Sequence, residues 1–398
     1  MKEEIKFFIE SRTESRQVGV SFFEYMNFVL YAPTIGYYSS SMPKIGSHGD
    51  FTTSPELTPL FAKAIALQFE EIFSRLKDVQ EEGYKNILEF GAGSGKFAID
   101  ILLALEALGV EVEHYFILEL SEGLRVQQQE YCSKFEKVFK KISWLDALPK
   151  EGSFSGIIFA NEVLDAMPVH RFIKKNGKIL EQSVRLKVDP KLEPEIELEY
   201  GDPLKPSENL LRAVSLLEEK LEPFSEGFCS EINLFSEPWL KSVYQTLKQG
   251  AVLLIDYGYP EAEYYSPSRA SGTLSCYSKH RVNNHPLLNP GQQDITAHVD
   301  FTQVVTSSMT IGFELEGYTT QGLFLANLIN FNLSSDHSKA FGFDQVDPVS
   351  SQHLRRLMHP GAMGEVFKVV GLSKNISRDS EEDLAWLGFK GVDQRHRL

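Results

Sequence analysis

The chain has 398 residues, 42% hydrophobic and 24% charged, enough to bury a sizeable core, which excludes disordered and collagen-like classes. Forty basic against fifty-five acidic side chains leave a net charge of −15, the wrong sign for a generic phosphate-backbone binder, so no nucleic acid is expected. Three cysteines, Cys132, Cys229 and Cys276, form no CxxC pair and no His-flanked cluster, so neither a disulfide framework nor a metal site is expected.

The opening MKEEIKFFIESRTESRQ mixes acids with bases and lacks both an apolar signal core and an acid-poor transit composition. No apolar run reaches the ~18 residues of a membrane span. A cytoplasmic location is the expectation. Residues 1–80 read as a helical segment lying over the rest. Ser21 and Glu24 form a capping box ahead of FEYMNFVLY, and Pro33 and Gly36 stop that helix. Residues 37–55 are rich in Ser, Gly and Pro and read as irregular; Gly49–Ser54 is a candidate lid, or else a simple helix cap with Ser54 as N-cap and Pro55 behind it. An amphipathic helix is expected from Glu56 to Leu76.

From residue 81 the period changes. NILEF, YFILEL, ISWL and GIIFAN are short apolar runs separated by helical patterns at 97–108 and 122–140. Strands alternating with helices predict βαβ units and a parallel sheet covered on both faces. After Pro168 the rhythm breaks: RFIKKNGKILEQSVRLKV reads as a hairpin turning at Asn176-Gly177, followed by a helix near 208–221. Residues 168–225 are therefore assigned to an α+β insertion, with the core formed by 81–167 and 226–398. AVLLIDYG resumes the sheet, residues 259–300 form a long substrate-side loop, and runs near 313–318 and 365–370 close the sheet.

The sharpest motif is Glu89-Phe90-Gly91-Ala92-Gly93-Ser94-Gly95, which follows a strand and opens a helix. Glycines there allow a tight turn and close approach of a ligand at the carboxyl edge of the sheet. A P-loop fails, because Lys96 is followed by Phe97 and no hydroxyl is available for magnesium. The G-x-G-x-G spacing fits a dinucleotide fingerprint less well than an S-adenosylmethionine site, which also wants an acid ending the next strand. Glu119 ends YFILEL and can take both ribose hydroxyls; its competing reading is a helix cap at Ser121. Asp146, after the third strand, is placed for the adenine amino group. After the fourth strand, Asn161-Glu162-Val163-Leu164-Asp165 lies beside the transferable methyl, with Asn161 on the donor side. Glu162 and Asp165, three apart, share a face if this is a helical turn, and can grip a cation; the plainer alternative is acids favouring a helix N-terminus.

These residues carry a resemblance. LYAPTIGYY, GDFTTSPELTPLF, EFGAGSGKFAIDIL, LELSEGLR, ANEVLDAMPVHRF, LIDYGYP, GTLSCYSKHR, PGQQDITAHVDF and MHPGAMGEVFKV, in order from about residue 19 to 370, resemble the MidA-like methyltransferase family. That family includes a mitochondrial complex I assembly-factor arginine methyltransferase. The resemblance implies a class I, Rossmann-like methyltransferase fold. It also implies S-adenosyl-L-methionine as cofactor, with Gly91, Gly93 and Gly95 at its methionine end and Glu119 at its ribose. Many members carry Pro and Arg in the turn where this chain has Ala92 and Ser94. Symmetric dimethylation of a protein arginine, as in a respiratory complex I subunit, is the implied reaction, with Glu162 and Asp165 on the guanidinium. Within Thr296-Ala297-His298, His298 is a proton relay or hydrogen-bond partner, or else only fixes a local turn. Asp294 and Asp300 are expected as caps, and Tyr277, His280 and Arg281 as channel residues or loop packing. The alternatives are methylation of a small molecule or another acceptor, and a non-catalytic assembly factor that keeps the fold.

Overall fold

The computed structural model describes residues 2–13, 19–39, 53–76, 83–187, 197–278, 281–334, 341–343, 346–376 and 385–398. Its centre is a mixed sheet built from β1 (Asn86–Phe90), β2 (His114–Leu118), β3 (Ile142–Leu145), β4 (Phe154–Asn161), β5 (Leu247–Tyr259), β6 (Glu314–Thr320) and β7 (Phe367–Lys374). In space the order is β3-β2-β1-β4-β5-β7-β6. The first five strands are parallel and β7 is antiparallel to both neighbours. The strand order reverses between β1 and β4, and that reversal opens a crevice at the carboxyl ends. This is the Rossmann-like architecture expected.

The apolar runs alternate between two cores, as buried parallel strands must. Ile87 of β1 and Ala251, Leu253 and Ile255 of β5 pack under the helices Pro59–Leu76, Lys96–Ala107 and Gln321–Ser334. Leu88, Phe90, Val252 and Leu254 face the opposite layer, which includes the helices Ser236–Thr246 and Phe301–Ile311. Cys132, Cys229 and Cys276 are free and buried, and burial pushes their thiols up to about 12, 11 and 12. They act as small core residues.

Three local findings shape the site. The helix Phe22–Tyr31 starts at the capping box: the Glu24 N–H donates to Ser21 Oγ (3.2 Å), and the Ser21 N–H to Glu24 Oε2 (3.1 Å). The single helix expected from Glu56 is instead two, Ser54–Leu57 and Pro59–Leu76, broken at an extended Thr58. The ring of Pro59 disfavours helical backbone in the residue before it. The cap also shifts: Thr53 precedes the short helix, and Ser54 Oγ donates to Gln321 Oε1 (3.1 Å). Gly49–Thr52 of the candidate lid lie outside the described residues.

Asn176 and Gly177 both take positive φ (53° and 69°), as a two-residue hairpin turn requires, between strands His170–Lys175 and Lys178–Glu181. Cys229–Ile232 adds a third strand to that hairpin, beyond residue 225, and Ser183–Leu186 pairs with Val20–Ser21 of the N-terminal segment. The long 259–300 stretch carries its own antiparallel sheet of Ser275–Ser278, Arg281–Asn283 and Asp294–Thr296.

Candidate functional site

At the crevice lies a cavity of about 750 Å³. Of the residues singled out from the sequence, Gly91, Gly93, Glu119, Asp146, Asn161 and Glu162 line it. Gly91 and Gly93 hold positive φ (61° and 56°), so the turn folds back tightly on the strand ends. Gly95 is different: it does not line the cavity, but caps the helix Lys96–Ala107 at φ 82°, and a Cβ there would sit 3.0 Å from Cys132 Sγ. In this position it lets the helix pack closely against Cys132.

Glu119 Oε1 accepts the Ser121 N–H (2.9 Å), while Ser121 itself caps the following helix through the Leu124 N–H. Glu119 Oε2 accepts from Gln128 Nε2 (2.9 Å), which also donates to the Gly93 carbonyl (3.0 Å). Gln128 Oε1 takes the Trp144 indole N–H (2.9 Å). One buried amide thus ties the glycine turn, the acid ending β2 and β3 into a single frame. Sequence reading missed Gln128, because it looks like any polar residue on an amphipathic helix. Asp146 lies at the exposed rim, ion-paired to Arg125. Under the turn, burial pushes the Glu89 carboxyl up to about 8, although Tyr115 donates a hydrogen bond to it (2.7 Å). The short helix Ser54–Leu57 closes on the turn: Ser94 donates to Glu56, and Lys96 Nζ donates to the Pro55 carbonyl (3.2 Å).

Next to this cavity is a second one of about 220 Å³, and Glu162 and Tyr38 line both. Asp165, Asp294, Tyr257, Tyr277 and His298 complete much of its wall. The helical turn expected for Asn161–Asp165 is absent. Glu162 instead takes φ 54°, uncommon for a residue with a Cβ, and its N–H donates to the Ile255 carbonyl (2.9 Å). The backbone leaves the sheet sharply there, so Glu162 and Asp165 meet across a turn rather than along a helix face.

Burial, together with the charge of Asp165, pushes the Glu162 carboxyl up to about 8; N–H groups from Asn161 and Ser54 oppose the shift. Burial pushes Asp165 up to about 6, against hydrogen bonds from the Tyr257 hydroxyl and nearby backbone. Two acids with raised pKa values in one small cavity are poised to welcome a cation, whose charge would let both ionise.

His298 stacks on Tyr259 with ring centroids 5.1 Å apart, and its Nδ1 lies 3.1 Å from the Thr273 carbonyl. Burial lowers its pKa to about 4, so it stays neutral, with Nδ1–H donating and Nε2 left as acceptor. In this state Nε2 is free to act as a hydrogen-bond acceptor. Asp300 does cap a helix, accepting the Gln303 N–H (3.0 Å), whereas Asp294 lines the second cavity and takes a hydrogen bond from the Tyr38 hydroxyl (2.9 Å). Arg281 is exposed on a strand and does not line this cavity, and His280 lies outside the described residues. Tyr31 donates to the Ala166 carbonyl (2.8 Å), so the N-terminal segment buttresses the acidic turn. Among the described residues, no group of three or more His, Cys, Asp or Glu is arranged to hold a metal ion, and no helix is long and apolar enough to cross a membrane.

Comparison with known proteins gives this geometry a context. The family of S-adenosyl-L-methionine-dependent methyltransferases matches residues 64–319. A crystal structure from Burkholderia thailandensis, described as a "likely methyl transferase" bound to S-adenosyl-homocysteine, is 33% identical with a TM-score of 0.84, covering 100% of this chain and 96% of that one. The Caenorhabditis elegans protein arginine methyltransferase NDUFAF7 homolog, mitochondrial, is 28% identical over 76% of this chain and 70% of its own length. The human protein arginine methyltransferase NDUFAF7, mitochondrial, is 26% identical over 88% and 79%. These mitochondrial names overturn the cytoplasmic location expected from composition. Free buried thiols do not identify a compartment.

Proposed function

The chain belongs to the family of S-adenosyl-L-methionine-dependent methyltransferases, and from that premise we propose that its acceptor is the guanidino group of a protein arginine. One observation carries the reading: Glu162 lines both the large crevice and an adjoining small cavity that also holds Asp165 and Asp294. The names of the relatives support the same acceptor.

The residues present fit the methyl donor. Asn161 Oδ1 is buried without a hydrogen-bond partner on the wall of the large cavity, an acceptor suited to the ammonium of a methionine end. Glu119 presents a carboxylate for the ribose hydroxyls, and Leu120, Leu148 and Trp239 supply apolar surface for a flat base. When bound, the donor supplies an electrophilic methyl on a sulfonium sulfur.

Arginine arrives protonated, with all its N–H groups as donors. Glu162 and Asp165 bind that planar fork, and its charge lowers both carboxyl pKa values so that they ionise. They orient one nitrogen towards the large cavity, which converts an encounter into an aligned displacement. As the nitrogen bonds to carbon it loses a proton, and the Glu162 carboxylate, ionised in the presence of the guanidinium, is placed to accept it. Tyr257 stands beside Asp165 on the wall of the small cavity. Neutral His298, with Nε2 as acceptor, can take one further N–H.

Two methyl groups placed symmetrically, on a subunit of respiratory complex I, is the finer form of this proposal. Labelled S-adenosylmethionine offered to a mitochondrial lysate, followed by mass spectrometry, tests it. Label on arginine, with the fragment of symmetric dimethylarginine, is expected; label confined to small molecules or to other side chains contradicts it.

A further inference from the structure

Asp256, near the end of β5, is 1% exposed and lines neither cavity. Its Oδ2 accepts the backbone N–H groups of Leu164 (2.9 Å) and Asp165 (3.2 Å), and its Oδ1 accepts that of Tyr257 (2.8 Å). All three partners are donors. Two belong to the turn that carries Asp165, and the third belongs to Tyr257, which lines the small cavity together with Asp165. One buried acid therefore fixes the backbone beneath Asp165 and beneath its neighbour on the cavity wall, Tyr257. The neighbouring Ile255 carbonyl takes the Glu162 N–H (2.9 Å), so the same strand end registers both candidate acids.

Resting on the acceptor reading above, we infer that Asp256 is a positioning residue for methyl transfer, aiming Asp165 into the second cavity without touching either substrate. An asparagine there would keep one acceptor oxygen and turn an NH2 group towards N–H donors, leaving at least one buried donor unpaired. A glutamate keeps both oxygens but moves them by a methylene, so the turn must shift to follow.

The test compares wild type, Asp256→Asn, Asp165→Asn and the double variant. It uses labelled S-adenosylmethionine with the lysate fraction that wild type labels, and S-adenosyl-homocysteine binding by calorimetry. Asp256→Asn is expected to lower kcat about 100-fold, the scale of a misplaced reacting group. Donor affinity should hold within about twofold, because the variant leaves the large cavity intact. The double variant should be no slower than Asp165→Asn alone, since both changes act through one carboxylate. An unchanged rate in Asp256→Asn, or losses that multiply in the double variant, overturns the assignment. An Asp165→Asn variant as active as wild type overturns the acceptor reading itself, and with it this role. If Asp256→Asn does not fold, Asp256→Glu carries the comparison: donor affinity kept with a lowered rate is expected, and an unchanged rate overturns the assignment.

Discussion

Glu162 sits where two cavities meet, in a backbone conformation that a side chain rarely takes, with its carboxyl pushed up to about 8. If it holds the acceptor, Glu162→Gln should lower the methylation rate by about 100- to 1,000-fold, as loss of a transition-state contact does. Binding of S-adenosyl-homocysteine by calorimetry should change little; equal losses in both would argue against an acceptor role. The raised acids also set a pH dependence. Glu162 at about 8 against an ordinary 4.5, and Asp165 at about 6 against 3.8, keep protons in the folded chain that the unfolded chain has lost. Their contribution to stability is therefore fullest below roughly pH 4 and is lost as pH rises through the two folded values. The ligand-free protein should melt at a lower temperature at pH 8.5 than at pH 5.5 in scanning calorimetry, with a smaller difference in Glu162→Gln. Residue types in this site were legible in the sequence, but their conformation was not. An acid three positions before another reads as a helix face, and nothing in Glu162 itself announces a positive φ. Asp256 was hidden for a related reason, since an acid inside an apolar strand looks like a strand end and not like a clamp.

The elements that place the site follow plain rules. NILEF and AVLLIDY were readable as buried parallel strands because no polar alternation interrupts them. The Asn-Gly hairpin was readable because few dipeptides accept two positive φ values. The break at Thr58 was also written in the chain, in Pro59, yet the helical periodicity on both sides masked it. Cys229–Ile232 was not legible: it is short, and the partners of its buried Glu231, Arg171 (3.3 Å) and Thr273 (2.8 Å from its N–H), come from distant segments. Close strand approach leads to a prediction at this level. Gly156 on β4 holds φ 143°, and a Cβ there would lie 2.1 Å from the Asn86 carbonyl on β1. Gly156→Ala should cost ~2–4 kcal/mol, the scale of backbone strain plus overpacking. Urea denaturation would read it; a loss under ~0.5 kcal/mol, the scale of a neutral surface change, would contradict that packing.

Taken as a whole, the molecule joins a sheet that supplies the donor crevice to an N-terminal segment that roofs it. Tyr31 and Tyr38 reach the acidic turn and Asp294, and Ser54 meets both Glu162 and Gln321. The sequence suggested a covering segment over residues 1–80 but not these contacts, because each joins residues far apart in the chain. The net charge of −15 adds a long-range term. A cationic arginine-bearing partner should be drawn towards such a surface, and salt should weaken that attraction. Raising ionic strength from about 0.05 to 0.5 M is expected to raise KM for the protein acceptor several-fold with little change in kcat. A KM indifferent to salt would mean that charge does not guide docking. The most direct test of the central claim is a crystal structure with S-adenosyl-homocysteine and an arginine peptide from the labelled acceptor. The sulfur should face Glu162 from the large cavity, and the guanidinium should lie between Glu162 and Asp165 in the small one. A guanidinium bound elsewhere, with the small cavity closed to it, would contradict the account.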